Sequence, residues 1–127
     1  MGEKEMKWVI RIIQGLLVVG FAAFGAMKLT GNAMQVQIFE GFGYPLGFMY
    51  FVGFCEVLGA IGLLVGFWKH RIALLASGGL VLLMAGAVFS HFKAGQGIGL
   101  IMPALVFFIL SLVVLLGNRG GTLSKNM

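Results

Sequence analysis

Four apolar runs, Trp8 to Met27, Leu46 to Trp68, Ile72 to Phe92 and Ile98 to Gly117, take up most of the sequence. Each approaches or exceeds the roughly 20 residues that a helix needs to cross about 30 Å of hydrocarbon. The pattern predicts transmembrane helices over 8–28, 46–68, 72–92 and 98–117. Between the last three runs the polar breaks are short, one around Lys69, His70 and Arg71 and the other at KAGQG, 93–97. Connections of that length make consecutive helices antiparallel neighbours. The expected fold is therefore an all-α integral membrane protein, a four-helix antiparallel bundle forming one domain over 1–127. One break is long: 29–45 mixes Met34, Val36, Ile38 and Phe39 with Gln35, Gln37 and Glu40. It suits either a short helix lying in the interface or a cover over the bundle's outward mouth. Tyr44 and Pro45 then mark the entry to the second run, where proline suits a helix start.

Composition strengthens the membrane assignment. Of 127 residues 60% are hydrophobic and 10% charged, with a mean hydropathy of +1.04. A soluble domain of this size needs more polar surface. The net charge of +5 does not point to nucleic acid, because the basic residues sit at segment ends and not on a patch interleaved with aromatics. Lys4, Lys7, Arg11, Lys69, Arg71, Arg119 and Lys125 share one side, and only Lys28 and Lys93 the other. The positive-inside rule then places both termini on the cytoplasmic side. A signal-peptide reading of the first run, prompted by Ala22, Ala23, Gly25 and Ala26, fits less well, since the run is long for such a segment and its removal would leave three spans. Cys55 is the sole cysteine, so neither a disulfide framework nor a thiol pair forms within one chain. His70 and His91 fall at opposite ends, too far apart for a shared metal or haem, and no metal site is expected. The glycines at 95, 97 and 99 read as a tight turn, because no strand and no Lys-Ser/Thr pair accompanies them as a phosphate cradle requires.

Glu56 interrupts the second run. An acid near the middle of a membrane helix costs about 2.5–3.5 kcal/mol on insertion scales unless partners or water receive it. Its face also carries Met49, Val52, Gly53, Gly59, Ala60 and Leu63, a small-residue stripe typical of helix contact, so Glu56 is expected to point inward. On the third run Ser77, Leu80, Met84, Ala87 and His91 lie along one side, and on the first Gln14, Phe21 and Lys28 recur every seven residues. Convergence of these seams would gather Glu56, His91 and Lys28 around one outward-opening cavity, with Tyr44 and Met84 as further ligand contacts. Plainer roles exist for each. Lys28 and His91 suit interfacial anchoring, Glu56 a structural hydrogen bond, Gln14 interhelical bonding, and the methionines core filling. Gly62 and Gly66 form a GxxxG that serves packing within the chain or a homo-oligomer.

The segments FAAFGAMKLTG (21–31), FEGFGYP (39–45), GFCEVLGAIGLLVGF (53–67) and MAGAVFSHFKAG (84–95) together resemble the DoxX and DoxX-like family of small four-helix bacterial membrane proteins. The matching positions are Gly25, Lys28 and Leu29; Gly43 and Pro45; Glu56 and Gly59; and Met84, Ala87 and His91. The resemblance implies an accessory or quinone-interacting subunit of a membrane oxidoreductase or redox-stress system, working with a partner subunit. In that role Glu56, helped by His91, would exchange a proton with a quinone and Lys28 would steady its polar head, the chain having no intrinsic cofactor. Two alternatives stand beside it: a non-enzymatic protein that binds or passes a small lipophilic or anionic ligand, and a membrane scaffold or assembly factor whose acid fixes helix register. Fold follows from such a resemblance more directly than activity does.

Overall fold

The computed structural model describes residues 2–119 as five helices: α1 Glu3–Leu29, α2 Ala33–Phe42, α3 Leu46–Val65, α4 His70–Lys93 and α5 Ile98–Arg119. No strand occurs among the described residues, and Lys125 lies outside them. α1, α3, α4 and α5 are each long and apolar enough to cross a membrane. α1 starts several residues before its apolar run. Glu3 and Glu5 in its first turn complement the positive end of the helix dipole. α3 stops at Val65, and residues 66–68 form the turn into α4.

The four long helices close into a ring in which α1 packs mainly on α3, α3 on α4, α4 on α5 and α5 on α1. Leu17, Phe21, Ala60, Leu63, Leu80, Met84 and Val114 fill its centre. Leu16, Val19, Leu75 and Leu82 face outward, as befits helices whose surroundings are acyl chains. With lipid on the outside, burial of apolar area does little to hold helices together, so close backbone approach and internal polar contacts carry the assembly. Both are present. The Gln14 amide donates to the Leu63 carbonyl at 2.7 Å, tying α1 to α3 across the buried interior. Ser77 turns its hydroxyl back to the Ala73 carbonyl at 2.7 Å and so asks nothing of its neighbours.

The tightest seam is α1 on α3. A Cβ at Gly25 would lie 2.8 Å from the Gly53 carbonyl oxygen, and one at Gly53 would lie 2.9 Å from that of Gly25. The two backbones touch where these glycines meet. Gly62 and Gly66, the GxxxG pair, lie against Ala76 and Ala73 of α4, which gives the motif a use inside the chain.

α2 lies across the end of the bundle where α1 finishes, α3 begins and α4 finishes. The Asn32 side chain caps it by accepting from the backbone N–H of Met34 at 3.0 Å and of Gln35. It buries Gln35 and Phe39 and leaves Met34 and Glu40 exposed, and Phe39 packs with Met49 and Val52 of α3. The long break at 29–45 thus contains an amphipathic helix laid over the end of the bundle.

Candidate functional site

Beneath α2 is a cavity of about 320 Å³. Its walls are apolar, with Phe24 and Phe107 on one side and Ile38, Phe39 and Phe42 of α2 above. Lys28, Gln35, Glu56, Met84 and His91 also line it. Four residues singled out from the sequence, Lys28, Glu56, Met84 and His91, therefore meet in one space although they come from three helices.

The central feature is an ion pair, Lys28 Nζ to Glu56 Oε1 at 2.9 Å, with the two side chains 10% and 3% exposed. Its geometry follows from local structure. α1 and α3 run antiparallel, and side chains on a helix lean toward its N-terminus. Lys28 lies one turn beyond Gly25 and Glu56 one turn beyond Gly53, on opposite sides of the level where the glycines touch. The lean therefore brings ammonium and carboxylate toward each other across the closest approach of the two helices. Among the described residues no hydrogen bond from a neutral donor supplements the pair. Lys28 also stands 5.8 Å from the centre of the Phe24 ring, which presents its electron-rich face to the ammonium.

His91 lies in the last turn of α4. Its Nδ1 is hydrogen-bonded to Gln96 Oε1, and Phe42 of α2 meets the ring edge-on at a centroid distance of 5.0 Å. Gln96 in turn donates from Nε2 to the Ile38 carbonyl at 3.2 Å, which links the loop after α4 to the helix over the cavity. The sequence reading missed Gln96. Gly95, with a φ of 70°, ends α4 and folds Gln96 back, a placement that nothing local in the sequence marks. Gln35 was missed as well: only 5% exposed, it lines the cavity with no hydrogen bond to its amide among the described residues. Pro103 of α5 also lines the space and, lacking an N–H, cannot donate to the carbonyl of Gly99, another lining residue.

Tyr44 is placed elsewhere. It is not among the lining residues, and its hydroxyl pairs with Ser90 Oγ at 2.9 Å, joining the start of α3 to the end of α4. Tyr44→Phe is expected to lower stability by about 1 kcal/mol, the usual net value of one such bond, while leaving the cavity unchanged. Thermal unfolding of the detergent-solubilised protein measures the effect.

A larger groove of about 630 Å³ opens between α3 and α4, lined by residues such as Leu58, Gly62, Leu75 and Leu82. Among the described residues Cys55 is the one titratable side chain along it, so the groove offers much less chemistry than the smaller cavity.

A helical bundle with four membrane-crossing segments, roofed by an amphipathic helix over a cavity that holds a buried ion pair, is a multi-pass membrane protein. Residues 12–114 match the DoxX-like family, and the chain belongs to it. It is also similar to the Bacillus subtilis (strain 168) protein named "Uncharacterized protein YdgD", at 32% identity over 103 residues that cover 80% of this chain and 90% of that one. No solved structure matches.

Proposed function

We propose that the protein holds a small lipophilic molecule in the cavity under α2, and that it serves a membrane oxidoreductase or redox-stress system of the bacterial inner membrane as an accessory, quinone-interacting subunit. The observation that carries this reading is the cavity itself, where aromatic walls meet an ammonium, a carboxylate, an imidazole and an unpaired buried carboxamide. Its volume of about 320 Å³ falls in the range of small-molecule sites, and its lining has their usual make-up, mostly apolar with a few polar groups that fix orientation. Lys28 is already neutralised by Glu56, which favours an uncharged head over an anion.

A flat ring bearing oxygen substituents fits such walls. When bound, a quinone would supply the capacity to take up and release electrons and protons. Phe24, Phe39 and Phe107 would flank its ring, Gln35 and Lys28 would donate to its oxygens, and Glu56 and His91 would hold or accept protons. Electrons would have to come from a partner subunit, because the chain has no thiol pair or paired haem ligands of its own.

One observation favours a second, structural reading. Glu56 and Lys28 neutralise each other within the chain, as a clamp fixing α1 on α3 would. Ala87→Phe separates the two readings, since Ala87 lines the cavity but belongs to neither partner of the pair. With the ligand reading, native mass spectrometry of the wild-type protein in nanodiscs shows a co-purified lipophile, the variant loses it, and complementation of a deletion strain fails. Full complementation by an Ala87→Phe protein that carries no ligand would leave the clamp as the function.

A further inference from the structure

The ending of α4 is a Schellman motif: Gly95 at φ 70° donates its N–H to the Phe92 carbonyl at 3.1 Å, and Gln96 donates its own to the His91 carbonyl at 3.0 Å. In this motif the residue after the glycine comes back over the residue that accepts its N–H, and an apolar contact usually joins the two side chains. Here the contact is polar, Gln96 on His91. Gly41 of α2 leaves room for it, since a Cβ there would collide with the Gln96 amide.

The direction of each bond in this chain follows from chemistry. The Ile38 carbonyl can only accept, so the amide end facing it is the NH2 group. The Oε1 of Gln96 therefore faces His91, and because that oxygen can only accept, Nδ1 of the imidazole carries a proton. In a neutral ring the second nitrogen, Nε2, is then a bare acceptor, and it has no partner among the described residues. His91 lines the cavity together with Gln35.

We propose that Gln96 is a positioning residue: it fixes His91 as the Nδ1–H tautomer, so that the cavity reads its ligand through an acceptor at Nε2 and selects lipophiles carrying a hydroxyl over the same skeleton without one. This rests on the reading that the cavity holds a ligand and gives that ligand a chemical class, a phenol or other hydroxyl-bearing ring. A ligand with carbonyl oxygens alone offers Nε2 no donor and forgoes that hydrogen bond. Applied to a redox pair, the site prefers the reduced, dihydroxy form.

Two measurements test this. The first uses protein labelled with 15N-histidine in nanodiscs, with the His91 signals assigned by comparison with His70→Gln. Long-range proton–nitrogen correlation should show protonated Nδ1 and unprotonated Nε2 in the wild type, and a tautomer mixture in Gln96→Leu. An Nε2–H tautomer or an imidazolium at neutral pH in the wild type overturns the proposal whether or not any variant folds. The second compares binding of para-hexylphenol and para-hexylanisole by calorimetry. The phenol should bind about tenfold tighter to the wild type, the value of one good hydrogen bond, and the preference should fall severalfold in Gln96→Leu. Equal binding of phenol and ether overturns the selectivity. If neither probe binds while the tautomer is as stated, the ligand reading of the cavity fails and the positioning of His91 by Gln96 stands.

Discussion

Lys28→Leu is expected to destabilise the bundle by about 3–5 kcal/mol, because it strands a carboxylate in a site where nothing else among the described residues neutralises it. Glu56→Leu alone is expected to cost less. Lys28 is near the end of α1, and a lysine freed from its partner there can extend its ammonium toward the headgroups, an escape closed to Glu56 on its shorter side chain ten residues into α3. The double variant Lys28→Leu/Glu56→Leu is expected to recover most of the loss, since an apolar pair of similar volume commonly replaces a buried ion pair at little cost. Unfolding in mixed micelles, read by far-UV circular dichroism, gives all three values. A Lys28→Leu protein as stable as the wild type would show that the acid is protonated or hydrated in place and that the ion pair does not hold α1 to α3.

The second large effect is expected at the glycine contact. Gly53→Leu places a side chain against the Gly25 carbonyl oxygen and the Lys28 Cβ, and neither is the flexible tip of a side chain that can swing aside. α1 must move away, at a cost of about 3 kcal/mol, the upper end for overpacking of a close contact. The displacement also draws the ammonium from the carboxylate. Gly53→Leu and Lys28→Leu should therefore be less than additive, since either one breaks the same seam. Gly86→Leu serves as a control on the same scale, because a Cβ at Gly86 has no neighbour within 4 Å.

Why Glu56 could be placed from sequence and Gln96 could not is a matter of contrast. In a chain that is 60% hydrophobic an acid within an apolar run stands out, and glycine and alanine on its face identify the side that packs. The four long helices were legible for the same reason: lipid and core both demand apolar side chains, so whole segments read as one unbroken signal. The seams holding Lys28, Met84 and His91 were readable from helical period alone, and the structure brings these residues together with Glu56 around one cavity. Gln35 and Gln96 lie in stretches where polar residues are ordinary, and nothing local marks them as buried or bridging. α2 was visible as a mixed segment, but its setting over the cavity depends on where three other helices end. Tyr44 looked like a ligand contact because it borders the helix entry, yet it sits beside Ser90, a pairing between distant segments that no spacing reveals. Nor does the sequence say which of its 12 phenylalanines form the cavity walls, since one phenylalanine in a lipid-soluble chain resembles another.

The ion pair also imposes an order on biosynthesis. Lys28 emerges from the ribosome well before Glu56, and each is without its counter-ion until α1 and α3 are both threaded and adjacent. α1 can enter lipid first with its ammonium at the headgroups, whereas the acid of α3 is neutralised only once α1 lies beside it. Closure of the ring by α4 and α5 then follows a docking step already committed by electrostatics.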